Sequence, residues 1–149
     1  MKKTASLLIA FSISALLYAQ QPLIKSDEAI QQTVVKMFAA LSNRDSTSLK
    51  DYCTTDITLY EYGQVWNIDT LILKAITQNQ SADFKRTNSF NFINTTADKN
   101  TAWVTYRLQS TITKDGKQAT VQWLETVILV KAKKQWRVKH LHSTLIKRS

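Results

Sequence analysis

The last third of the chain alternates apolar and polar residues with the period of a β-strand. Val121, Trp123, Val127 and Leu129 are separated by multiples of two residues, so they share one face of a predicted strand. These side chains are large and apolar, which favours the side that packs on the core. Glu125 lies in the middle of the same face. The pattern therefore predicts an acidic side chain that points into the core.

A second strand follows the basic turn Lys131–Gln135. The pattern places Trp136, Val138, His140 and His142 on one face of this strand. The two apolar residues favour the core side, so both histidines are expected to point the same way. An acid and two imidazoles among large apolar side chains predict a core with a polar pocket inside it.

The first half of the chain has helical periodicity. In the longest predicted helix, apolar residues recur at i, i+4, i+7, i+8 and i+11 and form one stripe: Ile30, Val34, Met37, Phe38 and Leu41. Two shorter helices are predicted at Ser46–Tyr52 and at Thr70–Gln78, and Asp69 is expected to cap the second one.

Glu61 is the second acid in phase with apolar residues. It shares a face of the predicted strand Ile57–Tyr62 with Ile57 and Leu59. Burial disfavours the ionised form of a carboxyl group, so both glutamates are expected to have raised pKa values and to exchange protons near neutral pH. The alternative is that each carboxyl is paired with a buried Arg or His in a purely structural contact.

Two more strands precede the one that contains Glu125. The strand Thr101–Thr113 has an apolar face made of Ala102, Val104, Tyr106, Leu108 and Ile112. The strand Phe84–Thr95 has three phenylalanines on one face, but Arg86 and Asn88 share that face, which predicts a short inner span.

The order of elements is helix, helix, strand, helix and a four-stranded antiparallel meander with a hairpin turn at Asp115-Gly116. Helices grouped against one antiparallel sheet predict an α+β fold. The expected architecture is a cone-shaped, curved antiparallel sheet wrapped around the long N-terminal helix, with the two shorter helices beside it. Such a sheet leaves a concave, mostly apolar cavity, which is the usual form of a ligand site.

The first 19 residues have the composition of an export signal. Lys2 and Lys3 precede an apolar run that ends at Ala19 and is shorter than the ~20 apolar residues of a membrane helix. We expect residues 1–19 to be a removed signal peptide and residues 20–149 to form one domain in the periplasm or outside the cell. No membrane attachment is expected after removal of the signal; an uncleaved anchor is the alternative.

The net charge of +9 is concentrated near the C-terminus, where seven basic residues and no acid follow position 130. Such a cluster is usually a solvated rim, and an anionic partner or surface is the functional alternative. The chain has no known nucleic-acid-binding motif, so a nucleic-acid partner is not expected. The single cysteine, Cys53, cannot form an intramolecular disulfide and is expected to be a small buried residue rather than a nucleophile.

Three stretches resemble the nuclear transport factor 2-like superfamily, in its SnoaL-like and ketosteroid-isomerase-like branch. They are VKMFAALSNRD at Val35–Asp45, DITLYEYGQVW at Asp56–Trp66 and WRVKHLHST at Trp136–Thr144. The resemblance extends over nearly all of residues 27–145, and the last stretch is its most specific part. The superfamily includes isomerases, cyclases, dehydratases and binding modules, so the resemblance implies a fold more than a function.

In the steroid isomerases of this superfamily the catalytic base is an aspartate at the end of the first strand. The resemblance places Glu61 at that position, and it places Glu125 at or beside the protonated acid of those enzymes. Their oxyanion tyrosine on the first helix matches Met37, which cannot donate a hydrogen bond. This departure argues against steroid-type isomerisation, and Tyr106 is only a distant substitute.

Together these arguments give two sets of candidate residues. The candidate catalytic residues are Glu61, Glu125 and His140, and the candidate ligand-binding residues are Met37, Phe38, Tyr106, Trp123 and His142. Two histidines two residues apart could also bind a metal with a glutamate, but such pairs more often line a pocket through hydrogen bonds. We therefore expect neither a metal nor a cofactor.

The first functional hypothesis is an exported domain that binds a small molecule in a polar-lined apolar pocket. The second is a cofactor-free lyase, cyclase or isomerase that uses Glu61 and Glu125 as acid and base. The third is a dimeric assembly module without catalysis, and the sequence leaves open whether the protein is an enzyme. Trp103 lies on the outer face of its strand beside Thr105 and Arg107, which predicts a homodimer formed through that face.

Overall fold

The computed structural model describes residues 25–149, so the predicted export signal lies outside the described residues. Three helices are present: α1 (Lys25–Ser42), α2 (Ser46–Tyr52) and α3 (Ile68–Ile72). α3 continues directly into a π-helical turn at Leu73–Thr77. Within residues 25–149, no helix has the length and apolar character needed to cross a membrane.

The start of α3 differs from the prediction. The residue that caps the helix is Asn67, whose side chain accepts a hydrogen bond of 2.9 Å from the backbone N–H of Thr70. Asp69 instead lies in the first turn, where its negative charge is favourable near the helix N-terminus. Asn67 and Asp69 are both capping residue types, so the pattern alone could not choose between them.

Six strands form one sheet. They are β1 (Cys53–Glu61), β2 (Gln64–Trp66), β3 (Lys85–Ala97), β4 (Thr101–Lys114), β5 (Lys117–Ala132) and β6 (Gln135–Arg148). Their order across the sheet is β2-β1-β6-β5-β4-β3. The predicted α+β fold, in which a long N-terminal helix packs against a curved sheet, is confirmed.

The sheet is mixed rather than wholly antiparallel. β1 runs parallel to β6, whereas every other neighbouring pair of strands in the described sheet is antiparallel. The strands of the meander are joined by tight turns, which force an antiparallel direction. β1 reaches the free edge of β6 from a distant part of the chain, so no tight turn imposes the direction there.

The core lies between α1 and the inner face of the sheet. Ile30, Val34 and Met37 of α1 are fully buried, as the helical stripe predicts. The predicted alternation also holds on β4 and β5, where the buried side chains include Ala102, Val104, Tyr106, Leu108, Val121, Trp123, Val127 and Leu129. Cys53 is buried in the same core, and burial raises the pKa of its thiol to about 12, which leaves it un-ionised.

A β-bulge interrupts the alternation of β6. Ile128 pairs with His140 and Leu129 pairs with Val138, so Lys139 is an extra residue on β6. Because one extra residue exchanges the two faces of a strand, Leu141 and Ser143 are buried beyond the bulge. His140 and His142 therefore point to the outer face, opposite to the prediction.

Candidate functional site

A cavity of about 360 Å³ lies between α1, the π-helical turn and the inner face of the sheet. Most of its wall is apolar and comes from Met37, Phe38, Leu41, Leu59, Trp66, Leu71, Phe84, Ile112, Trp123 and Leu141. Both predicted carboxyls, Glu61 and Glu125, also line it. The structure thus brings together the two acids that the strand pattern placed on the core side.

Glu125 is the more deeply buried of the two acids, with 3% of its surface exposed. Its Oε1 accepts a hydrogen bond of 3.0 Å from the hydroxyl of Ser143 on β6. Burial raises the pKa of Glu125, and Tyr106, Ser143 and Arg86 act in the opposite direction. The carboxyl is consequently held closer to its protonated form than a carboxyl in water.

Tyr106 lies directly opposite Glu125 in the register of β4 and β5, and it is fully buried. Its phenol is near enough to act on the pKa of Glu125, yet neither Tyr106 Oη nor Glu125 Oε2 has a partner at good hydrogen-bond geometry. Burial raises the pKa of the phenol well above its usual value, so it stays protonated. Tyr106 is covered by its neighbours and belongs to the layer behind the cavity wall, not to the predicted ligand-contacting surface.

Glu61 ends β1, next to a tight turn in which Tyr62 and Gly63 both have positive φ. Burial raises the pKa of its carboxyl to about 7, and the charge of Glu125 adds to this effect. Arg86 and Ser143 lower the pKa but do not cancel the rise. A carboxyl with this pKa can take up or release a proton near neutral pH.

Arg86 of β3 is a site residue that is not among the candidates predicted from the sequence. It lines the cavity, and its guanidinium carbon lies 5.4 Å from the ring centroid of Phe38 and 5.8 Å from that of Trp123. Burial lowers its pKa, whereas Glu125 and Glu61 raise it. An arginine in phase with three phenylalanines was the available signal, because such a side chain must cross the core or find a buried acid.

A hydrogen-bonded network fixes the position of Arg86 through its Nε atom. Its Nε donates to Asn88 Oδ1 at 3.0 Å and to Ser110 Oγ at 3.2 Å, and Ser110 in turn donates to Asn88 Oδ1 at 2.6 Å. Asn88 Nδ2 donates to Ser42 Oγ at 2.9 Å, and Ser42 donates to the carbonyl of Phe38. These bonds occupy Nε and leave both Nη atoms of Arg86 available to the cavity.

Of the remaining candidates, Met37, Phe38 and Trp123 line the cavity as expected. His140 and His142 do not, because the bulge at Lys139 turns them outward. Tyr60 on the outer face packs against both imidazoles, with ring centroids 4.7 Å and 5.8 Å away. The predictions of a catalytic His140 and a ligand-binding His142 in this cavity are therefore wrong.

His140 instead belongs to a contact between β6 and β1. Its Nδ1 lies 2.7 Å from Thr58 Oγ1. Burial lowers the pKa of His140, and the neighbouring His142 lowers it further. In residues 25–149 no three His, Cys, Asp or Glu side chains are arranged to hold a metal ion.

The sequence profile of the SnoaL-like domain matches residues 30–146, most of the chain. The chain belongs to the SnoaL-like domain family. Its membership of the nuclear transport factor 2-like superfamily is thereby confirmed. No curated protein sequence matches this SnoaL-like domain significantly.

Solved structures share the fold at low sequence identity. A conserved protein from Planctomyces limnophilus has 14% identity and a TM-score of 0.73, with 81% of this chain and 98% of that chain covered. A ketosteroid isomerase-like protein from Erwinia carotovora atroseptica has 15% identity and a TM-score of 0.68, with 84% and 99% covered. A CamKII hub homology domain from Chlamydomonas reinhardtii has 17% identity and a TM-score of 0.69, with 82% and 99% covered.

Proposed function

We propose that this SnoaL-like domain binds a small molecule in the cavity that contains Glu61, Glu125 and Arg86. The observation that supports the proposal most directly is the cavity itself, about 360 Å³ in volume, in which two carboxyls and an arginine converge among mostly apolar side chains. A hydroxyl, amide or carbonyl group of a ligand would hydrogen-bond to these polar side chains.

The walls of the cavity favour a molecule with an apolar body. Phe38, Trp123 and Leu141 provide large apolar surfaces around the polar groups. Arg86 offers free Nη donors at the same place, since its Nε alone is used by the network. A few polar groups converging inside an apolar cavity are typical of small-molecule sites.

Mass measurement under native conditions tests the binding function. Protein purified from its source, or incubated with an extract of that source, is expected to retain an added mass. Ala75 lines the cavity, so Ala75→Trp should fill part of it and abolish the added mass. Ala39→Trp, at an exposed position of α1 that does not line the cavity, is the matched control and should retain it. A wild type that stays free of added mass under all these conditions contradicts the proposal.

A second proposed function is proton transfer to or from the bound molecule, as in an isomerase, lyase or cyclase. The observation that favours it is Glu61, a cavity-lining carboxyl with a pKa of about 7 beside a second acid and an arginine. Such a group can act as a general base in one step and as a general acid in the next. The ketosteroid isomerase-like structure has the same fold, which is compatible with this chemistry but does not assign it.

Direct titration tests whether Glu61 is suited to that role. The carbon-13 signal of its side-chain carboxyl, assigned by its loss in Glu61→Gln, should shift with a midpoint near pH 7. A midpoint below about 5 for Glu61 would remove the basis for acid–base chemistry at neutral pH.

The third proposal is a homodimer formed through the outer face of the sheet. Trp103 is 42% exposed there, and its register partner Ile128 is 37% exposed. Trp103→Glu places a charge in the centre of that face and should weaken self-association at least ~100-fold in sedimentation experiments. Gln32→Glu adds the same charge at an exposed position on α1 and should leave self-association unchanged. A wild type that sediments as a monomer at high concentration would contradict this proposal.

A further inference from the structure

The opening of the cavity has a second group of charged residues. Lys74, Lys114 and Arg148 line the cavity and are exposed to solvent. They come from three separate elements, the π-helical turn, the end of β4 and the end of β6. We call these three residues the basic rim. Among the described residues that line the cavity, Glu61 and Glu125 are the only acids.

None of the three rim cations forms an ion pair within residues 25–149. Lys74 Nζ lies 5.3 Å from the ring centroid of Trp66, and Arg148 Nη2 donates to Tyr62 Oη at 3.2 Å. Asp83 lies beside the turn that follows Lys114, but its carboxylate accepts from the backbone N–H groups of Asp115 and Gly116. Lys74 and Arg148 are therefore positioned at the opening by contacts with aromatic side chains.

The charge of the cavity as a whole is positive. Four cations, the basic rim and Arg86, face two carboxyls, and burial favours the protonated form of both carboxyls. Low-dielectric walls concentrate an electric field of one sign inside a cleft, and that field attracts ligands of the opposite charge. The same walls stabilise an apolar group in the interior.

We propose that the ligand of this cavity is an amphiphilic anion, with an apolar ring system or chain in the interior and a carboxylate, sulfonate or phosphate at the basic rim. The inference rests on the proposed binding function and narrows its ligand class. Phe38 and Trp123 contact the apolar body, while Lys74, Lys114 and Arg148 surround the anionic group. A neutral polar atom of the ligand lies near Arg86 and Glu125.

Two fluorescent dyes with the same ring system separate the two parts of this inference. 8-Anilinonaphthalene-1-sulfonate has the anionic group, and N-phenyl-1-naphthylamine lacks it. In fluorescence titrations at low salt, the sulfonate is expected to bind at least ~10-fold more tightly, and added salt should reduce this ratio because it screens the rim charges. Ala75→Trp should weaken both dyes, which places them in the cavity.

Removal of rim charge provides the decisive comparison. The double substitution Lys74→Gln with Lys114→Gln removes two charges near the anionic group. It should lower the affinity for the sulfonate to within ~3-fold of the affinity for the neutral dye, and it should leave the affinity for the neutral dye unchanged. Lys50→Gln with Lys99→Gln removes the same net charge from exposed positions that do not line the cavity, and it should preserve the ratio. Circular dichroism verifies that each variant is folded.

The other outcomes distinguish this inference from the binding function itself. If both dyes bind in the cavity with equal affinity, or if the control pair reduces the ratio as strongly as the rim pair, the anionic ligand class is wrong and the cavity still binds. If neither dye binds, or if Ala75→Trp weakens neither of them, the binding function and the ligand class are both overturned.

Discussion

Two polar clusters lie on the inner face of the sheet, and they differ in how completely their atoms are hydrogen-bonded. The network cluster consists of Ser42, Asn88 and Ser110, and the carboxyl cluster consists of Glu61, Glu125 and Tyr106. In the network cluster each side chain has at least one well-formed hydrogen bond. In the carboxyl cluster Tyr106 Oη and Glu125 Oε2 have none. Arg86 donates hydrogen bonds to the network cluster and lowers the pKa values of both glutamates in the carboxyl cluster.

The comparison separates a cluster whose hydrogen bonds stabilise the fold from a cluster whose atoms keep unused hydrogen-bonding capacity. The network cluster joins α1 to β3 and β4 and does not line the cavity. The two glutamates of the carboxyl cluster line the cavity and have raised pKa values because their charges are poorly solvated. A group that maintains the fold is satisfied by the protein, whereas a group that serves a ligand keeps part of its bonding capacity.

The largest expected effect is the loss of the network cluster. Asn88→Ala removes the bonds to Ser42, Ser110 and Arg86, and it leaves the fully buried Ser110 hydroxyl without its acceptor. We expect a loss of about 2–3 kcal/mol in the free energy of unfolding, measured by urea denaturation. Asn91→Ala, an exposed position on the same strand, should cost less than about 0.5 kcal/mol. Equal effects at the two positions would mean that the network does not stabilise the fold.

The next largest effect depends on pH, and here the substitution is expected to increase the free energy of unfolding. Because the folded protein raises the pKa of Glu61 from 4.5 to about 7, the unfolded chain loses this proton first as the pH rises. Ionisation of Glu61 therefore destabilises the fold progressively between pH 4.5 and 7. Glu61→Gln should be more stable than wild type by on the order of 2 kcal/mol at pH 8 and nearly equal to it at pH 4.5.

Urea denaturation of both proteins at pH 4.5, 6 and 8 measures this difference, and subtraction removes the contribution of all other titrating groups. Glu28→Gln removes the charge of an exposed acid on α1 and is the control for the substitution itself. A difference between Glu61→Gln and wild type that stays constant with pH would show that Glu61 is well solvated.

The smallest effect is expected at the tyrosine of the carboxyl cluster. Tyr106→Phe removes a buried hydroxyl that has no well-formed hydrogen bond, so the free energy of unfolding should change by less than about 1 kcal/mol. The same substitution should raise the pKa of Glu125, because the phenol acts to lower it. A stability loss comparable with that of Asn88→Ala would indicate that Tyr106 is as firmly bonded as the network cluster.

The alternating strands explain why much of the site was predictable from the sequence. Glu61 and Glu125 lie on strands whose period of two holds over the residues just before the acid, so the apolar neighbours of each acid fixed its face. Met37 and Phe38 followed from the helical stripe in the same way. The family followed from three short stretches of sequence, and the family profile matches the region that contains them.

The histidines and Arg86 show where such reasoning fails. A bulge inserts one extra residue into a strand, and the residue type at that position does not reveal it. The alternating pattern therefore could not identify Lys139 as the extra residue. Arg86 was taken as a sign that the inner span of its strand is short, because a charged residue normally avoids a core face. Asn88 accepts from it on the same strand, but Ser110 and the two acids that raise its pKa come from three other strands, and these long-range interactions are not visible in the local pattern.

The parallel pairing of β1 with β6 has a consequence for the order of folding. Among the described strands β1 has two neighbours, β2 and β6. Its pairing with β6 joins residues such as Thr58 and His140, which are 82 positions apart along the chain. Contacts that close long loops form late, and a chain emerging from the ribosome makes β6 last. We therefore expect Glu61 to meet Ser143 and Glu125 only in the final stage of folding, when β1 docks on β6.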